Sequence, residues 1–174
     1  MPTVREATRA DAPELVRLGG LMWESIGRAL TDEWREQLLA TIDARLGTDL
    51  WGWVIDADVG AGDLGLAACA LLNRHPHLAP PGETAAWRGY VQWVCTDPAH
   101  RRKGYARALM MALDGWATAQ GVQVLELHAT PAGRPLYDSL GYVVPTGTPM
   151  RLDHRPKDPA APGENGGDGA TEPC

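Results

Sequence analysis

Six consecutive residues, Arg101, Arg102, Lys103, Gly104, Tyr105 and Ala106, combine three cations, a glycine and a small residue. A strand-like run from Tyr90 to Cys95 precedes them. After them Ala106, Leu109, Met110, Leu113, Trp116 and Ala117 recur at helical spacing. A strand, a basic loop and a helix make an anion cradle, because the first N–H groups of a helix have no internal acceptor and the macrodipole adds positive character there. Gly104 removes a side chain where backbone must approach the ligand, and Ala106 keeps the next position small. The two-glycine P-loop and the three-glycine dinucleotide fingerprint are both absent.

Other residues capable of chemistry are scattered. Glu126 and His128 alternate with apolar neighbours and share a face, and an imidazole suits a base near neutral pH. His75 and His77 lack a third ligand, so no metal is expected. Of the seven tryptophans, Trp34, Trp53 and Trp116 fit core faces, whereas Trp23, Trp51, Trp87 and Trp93 are candidates for pocket walls. Cys69, Cys95 and Cys174 have no paired spacing, and the first two read as small buried hydrophobes.

These residues need a scaffold. Thr3 to Ala7 reads as a strand. A helix starts at Asp11, where Asp11 and Glu14 resemble a capping box, and runs to Gly27. Thr31 caps a second helix with an apolar face of Trp34, Leu38, Leu39, Ile42 and Leu46. Strands are expected at Leu50–Ala57 and Leu64–Leu72, joined by a turn at Asp58–Asp63. A loop follows from His75 to Thr84, then the strand Trp87–Cys95 and the cradle helix. Val122–Leu127 reads as a strand and Leu136–Tyr142 as a short helix. Val143, Val144 and Thr148–Leu152 suggest a closing hairpin. From position 155 onward apolar residues almost vanish, and the segment cannot bury enough surface to order itself. The fold class is mixed α/β, with one domain over 1–154 and a disordered tail over 155–174.

Two motifs in this order resemble the GNAT superfamily of acyl-CoA-dependent N-acyltransferases. One is the R-x-x-G-x-A of Arg101–Ala106, similar to that family's pyrophosphate loop. The other is Leu136-Tyr137-x-x-Leu140-Gly141-Tyr142 near the C-terminal end. The expected element order resembles the family's from about Val4 to Leu152. The resemblance implies a central mixed, mostly antiparallel sheet with helices on both faces, splayed at an acyl-CoA site. It implies acetyl-CoA as acyl donor, with Arg101, Arg102, Lys103, Gly104, Tyr105 and Ala106 around the pyrophosphate and Val94, Cys95 and Thr96 along the pantetheine arm. An N–H near Val94 or Cys95 would stabilise the oxyanion. Thr130 stands where many members carry an asparagine toward the pantetheine, and Arg134 either reaches a CoA phosphate or faces solvent. Tyr137 would protonate the leaving thiolate; core packing is its alternative role.

The base stays open. Some members carry a glutamate on the cradle strand where this chain has Tyr90. Glu83, Asp97, Glu126, His128, a water, or no dedicated base are the alternatives. Trp23, Glu24, Glu83 and Trp87 would flank the acceptor and suit a cation. The expected activity is N-acetylation of a small primary amine. Acetylation of a protein N-terminus or lysine, and a non-catalytic CoA-binding module, are the alternatives. The net charge of −6 argues against nucleic acid, and no apolar run is long enough for a membrane span. The cysteine usage suits a reducing cytoplasm, and a homodimer remains open.

Overall fold

A computed structural model describes residues 2–57, 65–82, 87–147, 150, 152 and 154. The chain runs through β1 (Arg5–Glu6), α1 (Ala12–Ser25), α2 (Asp32–Arg45), β2 (Leu50–Asp56), β3 (Leu66–Pro76), β4 (Trp87–Thr96), α3 (Tyr105–Ala119), β5 (Leu125–Glu126) and α4 (Arg134–Asp138). The five strands lie in sequence order in one open sheet. Every pairing is antiparallel except β4 with β5, which is parallel. This is the mixed α/β architecture that the sequence implies.

Two apolar layers cover the sheet. Leu15 and Leu18 of α1 and Ile42 of α2 pack on one face against Val54, Cys69, Leu71 and Trp93. Leu109, Met110 and Leu113 of α3 pack on the other against Trp53, Ala68, Ala70, Leu72 and Val91. β3 is central, and Leu66 through Leu72 are all buried, as an almost wholly apolar run requires. Gly19 lets α1 lie close to the sheet: a Cβ there would meet the Trp93 ring at 2.5 Å.

Several boundaries differ from expectation, each because tertiary pairing overrides local signals. β3 does not end at Leu72 but continues through His75 and Pro76, which face Arg88 and Trp87 across the hairpin. Pro76 sits at the strand end, where a missing N–H does little harm. The fifth strand shrinks to Leu125–Glu126, because its parallel partner turns away beyond that point. Asp11 does not cap α1 through its side chain. Its carboxylate instead accepts the Thr8 amide at 2.7 Å and pairs with Arg5 at 2.8 Å. Val143 and Val144 are exposed and lie in no strand, so the hairpin is not seen among the described residues. Asp58–Asp63, Glu83, Thr148, Cys174 and the 155–174 tail lie outside the described residues.

Two irregularities in β4 shape the site. Its ladder with β3 slips between Leu71 and Leu72, which face Trp93 and Val91, leaving Gln92 as the extra residue of a bulge. Its pairing with β5 covers only Gly89–Leu125 and Tyr90–Glu126, after which the strands part.

Candidate active site

The cradle loop is anchored before it turns. The Asp97 N–H donates to the Ala67 carbonyl at 2.9 Å. The Asp97 carboxylate accepts from the Ala99 amide at 3.0 Å and from Arg17 Nη1 at 2.6 Å. Arg17 also donates through Nε to Glu14 and through Nη2 to the Leu66 carbonyl, while Glu14 accepts the Leu66 amide. This clasp ties α1, β3 and the loop together. Burial works against the charged form of Asp97, but Arg17 and the Ala99 amide outweigh it and hold its pKa below the ordinary value. Asp97 is therefore committed to an ion pair and is a poor base. A 3-10 turn at Pro98–His100 follows, and the buried His100 ring stacks on Tyr105 with centroids 6.5 Å apart.

The loop then enters the left-handed region twice, at Arg102 (φ 64°) and Gly104 (φ 78°). Glycine fits that conformation; arginine is uncommon there. Gly104 is the N-cap of α3 and offers no side chain. The first helical bond runs from the Ala108 N–H to the Gly104 carbonyl at 3.1 Å. The amides of Tyr105, Ala106 and Arg107 thus have no acceptor within the helix, and Arg101, Arg102 and Lys103 are exposed beside them. Backbone donors, a helix N-terminus and three cations fit a pyrophosphate.

The strand leading there has a free edge. Because the Asp97 N–H points to Ala67, the ladder alternation directs the backbone of Trp93 and Cys95 to β3 and that of Val94 and Thr96 away from it. The parting of β4 and β5 leaves those Val94 and Thr96 groups without a strand partner among the described residues. Of the two residues named as oxyanion donors, Cys95 has its N–H in the ladder with β3 and Val94 has its N–H on the open edge. Cys95 faces Cys69 across the ladder, both buried, and that neighbour together with full burial pushes the Cys69 thiol well up.

Tyr137 lies on α4, packed with Tyr105 and Leu109 in the layer on the α3 face. Its ring meets that of Tyr142 edge-on at 5.8 Å. Burial, and then the neighbouring Cys95, raise its pKa above the ordinary phenol value. It is a protonated donor at neutral pH. Two residues not picked out from the sequence fix α4 in place. Arg107 in the first turn of α3 donates to Ser139 Oγ at 2.5 Å, and that hydroxyl donates to the Leu136 carbonyl at 2.6 Å. Their only sequence signal is an arginine on the polar face of the cradle helix.

Other expected residues are placed less simply. The Thr130 hydroxyl accepts the Gly133 amide at 3.2 Å, opening the turn into α4. Arg134 pairs with Asp138 at 3.5 Å on the surface. Trp23, half-buried, and Glu24, exposed, stand in the last turn of α1. Trp87 is not brought to them. Its ring lies 4.3 Å from the Arg74 guanidinium, which also covers Trp51, and Trp51 packs on Trp116 of α3. Those tryptophans form a ladder on the α3 face, and Trp93 is core beneath α1, so Trp51 and Trp93 are not pocket walls. Glu126 is paired with Arg88 at 3.4 Å. Among the described residues no group of three or more potential metal ligands exists, and no helix is long and apolar enough to cross a membrane.

Comparisons with known proteins agree with this fold. The model of the acetyltransferase (GNAT) family matches residues 21–142. The chain belongs to that family. Its fold is similar to that of a predicted acetyltransferase from Clostridium acetobutylicum solved with acetyl-CoA, at TM-score 0.76 and 19% identity over 88% of this chain and 96% of that one. A GCN5-related N-acetyltransferase from Ralstonia eutropha aligns at TM-score 0.70 and 24% identity, covering 87% and 99%. The aminoglycoside N-acetyltransferase AAC(6')-Iy in complex with CoA aligns at TM-score 0.67 and 16% identity, covering 88% and 95%. No curated protein matches the chain.

Proposed function

We propose that this protein transfers the acetyl group of acetyl-CoA to a primary amine of a small molecule. The observation that carries the reading is the continuity of the open β4 edge with the cradle loop. A strand edge with free groups at Val94 and Thr96 runs directly into the unpartnered amides of Tyr105, Ala106 and Arg107. An extended chain ending in a pyrophosphate suits that track, pairing with the edge as an added strand would. Arg101 to Ala106 would hold the pyrophosphate, and Val94 to Thr96 the pantetheine arm.

Acetyl-CoA would supply an activated acyl group. The Val94 N–H, on the open edge, would stabilise negative charge growing on the acyl oxygen. Tyr137 donates a proton to the departing sulfur, its raised pKa keeping that proton in place until a thiolate forms. A cationic amine is supported by the acidic chain, net −6, which draws cations in. The test is thiol release from acetyl-CoA across amino sugars, polyamines, amino acids and peptides. Activity on small amines is expected. Activity confined to peptides would establish a protein acetyltransferase, and CoA binding with no turnover a binding module. Tyr137→Phe should lower turnover about ten- to a thousandfold with acetyl-CoA affinity unchanged. Normal turnover at every pH would make Tyr137 structural.

A further inference from the structure

Tyr90 and His128 make a hydrogen-bonded pair that the reaction described so far leaves unused. The Tyr90 hydroxyl lies 2.5 Å from His128 Nδ1, with ring centroids 5.8 Å apart. Tyr90 sits in β4, and His128 lies two residues past the end of β5. Tyr90 is partnered in β5 by Glu126, two residues before His128, in the last pair before β4 and β5 diverge. The pair therefore stands at the apex of the open slot.

Its face is fixed by the β3 partner. Tyr90 is opposite Asn73, so the two side chains share a face. Asn73 Oδ1 accepts from Arg45 Nη2 at 3.3 Å, which makes it the face of α2. Tyr137 belongs to the opposite, α3 face. Acyl transfer to an ammonium needs a proton removed from nitrogen and a proton delivered to sulfur. A phenol on each face of the sheet, only one of them hydrogen-bonded to an imidazole, Tyr90 to His128, separates those two tasks.

Resting on the proposed acetyl transfer, we propose that Tyr90 and His128 together take the proton the substrate ammonium must lose. The ammonium N–H bond breaks and its electron pair stays on nitrogen, becoming the attacking lone pair. That proton goes to Tyr90 Oη as the phenol proton passes to His128 Nδ1. The products are a neutral amine, an unchanged phenol and an imidazolium. Tyr90 touches the substrate; His128 acts through it and, being exposed, returns the proton to solvent. An imidazole is the ordinary side chain that changes charge near neutral pH. The phenol stays protonated, since burial and then Glu126 raise its pKa, so it relays rather than ionises. The charged neighbours are already matched: Glu126 with Arg88 at 3.4 Å beside the pair, and Arg45 with Asp49 at 2.8 Å beyond Asn73.

The experiment compares wild type, Tyr90→Phe, His128→Gln and the double variant. It uses the best amine from the panel between about pH 6 and 9.5, spanning the imidazole and amine titrations. Each single variant should lose about a hundredfold in kcat/KM for the amine near pH 7, with KM for acetyl-CoA unchanged. The double variant should fall no further, because the two act in series. The loss should shrink as alkali deprotonates the amine directly. Unchanged rates in His128→Gln, or an equal loss at every pH, would overturn the pair while leaving acetyl transfer standing. No wild-type turnover on any amine would sink both. Imidazole 15N spectra of the substrate-free protein give a readout independent of activity. Nδ1 should report an accepted hydrogen bond that Tyr90→Phe removes, and identical spectra in the two proteins would overturn the pair.

Discussion

α2 and α3 lie on opposite faces of the sheet and are buried to very different extents. α3 buries Leu109, Met110, Leu113 and Ala117 fully against the strands. α2, of similar length, buries only Ile42. Its Leu39 is 38% exposed, and Trp34 and Leu38 are only partly covered. The sequence offered comparable apolar faces for both. What distinguishes them is position: α3 packs across β2, β3 and β4, while α2 packs against α1. On that face α1 supplies the burial, through Leu15, Val16 and Leu18, and polar contacts add to it, with Thr31 accepting the Trp34 amide and Arg5 and Arg17 clasping carboxylates. α3 is thus held by burial of a full stripe, whereas α2 rests on one fully buried residue and a capped N-terminus.

That contrast can be broken by substitution. Leu113→Ala removes a fully buried side chain of α3 and should cost about 2–5 kcal/mol in denaturant unfolding. A cost below about 1 kcal/mol would mean the α3 layer is no firmer than the α2 layer. Gly104→Val comes next. A Cβ there has no atom within 4 Å, so crowding is not the issue in the free protein; the φ of 78° is. Holding valine in that conformation costs about 1–2 kcal/mol, and acetyl-CoA affinity by calorimetry should fall about tenfold. Unchanged affinity would place the pyrophosphate elsewhere.

Arg5→Gln tests the polar side. The hydrogen bond from Arg5 is the main cause holding Asp11 down at about 2. A carboxylate depressed in the folded state adds stability above its unfolded pKa, about 3.9, and that stability is lost as pH falls toward the folded value. Arg5→Gln should therefore be less stable at neutral pH and lose less between about pH 4 and pH 2. A full wild-type acid slope in the variant would show that the pair contributes nothing. Leu39→Ala should be the smallest effect, within about 0.5 kcal/mol. A larger loss would show that α2 is covered by something beyond the described residues.

The cradle was legible because it is local. Arg101–Ala106 and the period of the following helix are written in consecutive residues, and the structure keeps Gly104 as the turn and Leu109, Met110 and Leu113 as the buried stripe. The short helix that carries Tyr137 was legible for the same reason, by motif. What could not be read depends on register between distant segments. Nothing in the sequence tells that Trp87 meets Arg74, that Tyr90 meets His128 thirty-eight residues on, or that β3 runs on through a proline to match β4. The closing hairpin has no counterpart among the described residues, where Val143 and Val144 have strand-like chemistry but are exposed and lie in no strand. Trp93 is core because Gly19 opens room for it, and no rule of composition links those two.

The bulge at Gln92 has a consequence for how this chain could vary. Removing that one residue would restore an unbroken ladder between Leu71–Leu72 and β4 without moving any neighbour to the other face, since Val91 and Trp93 already alternate correctly about it. A bulge bends its strand and sharpens its twist; the deletion would straighten β4 and let its pairing with β5 continue past Tyr90–Glu126. The shortened protein would be the more regular sheet, with the gap zipped shut. Insertions and deletions are usually tolerated in loops and punished in strands. At this position the penalty would fall on catalysis and spare folding.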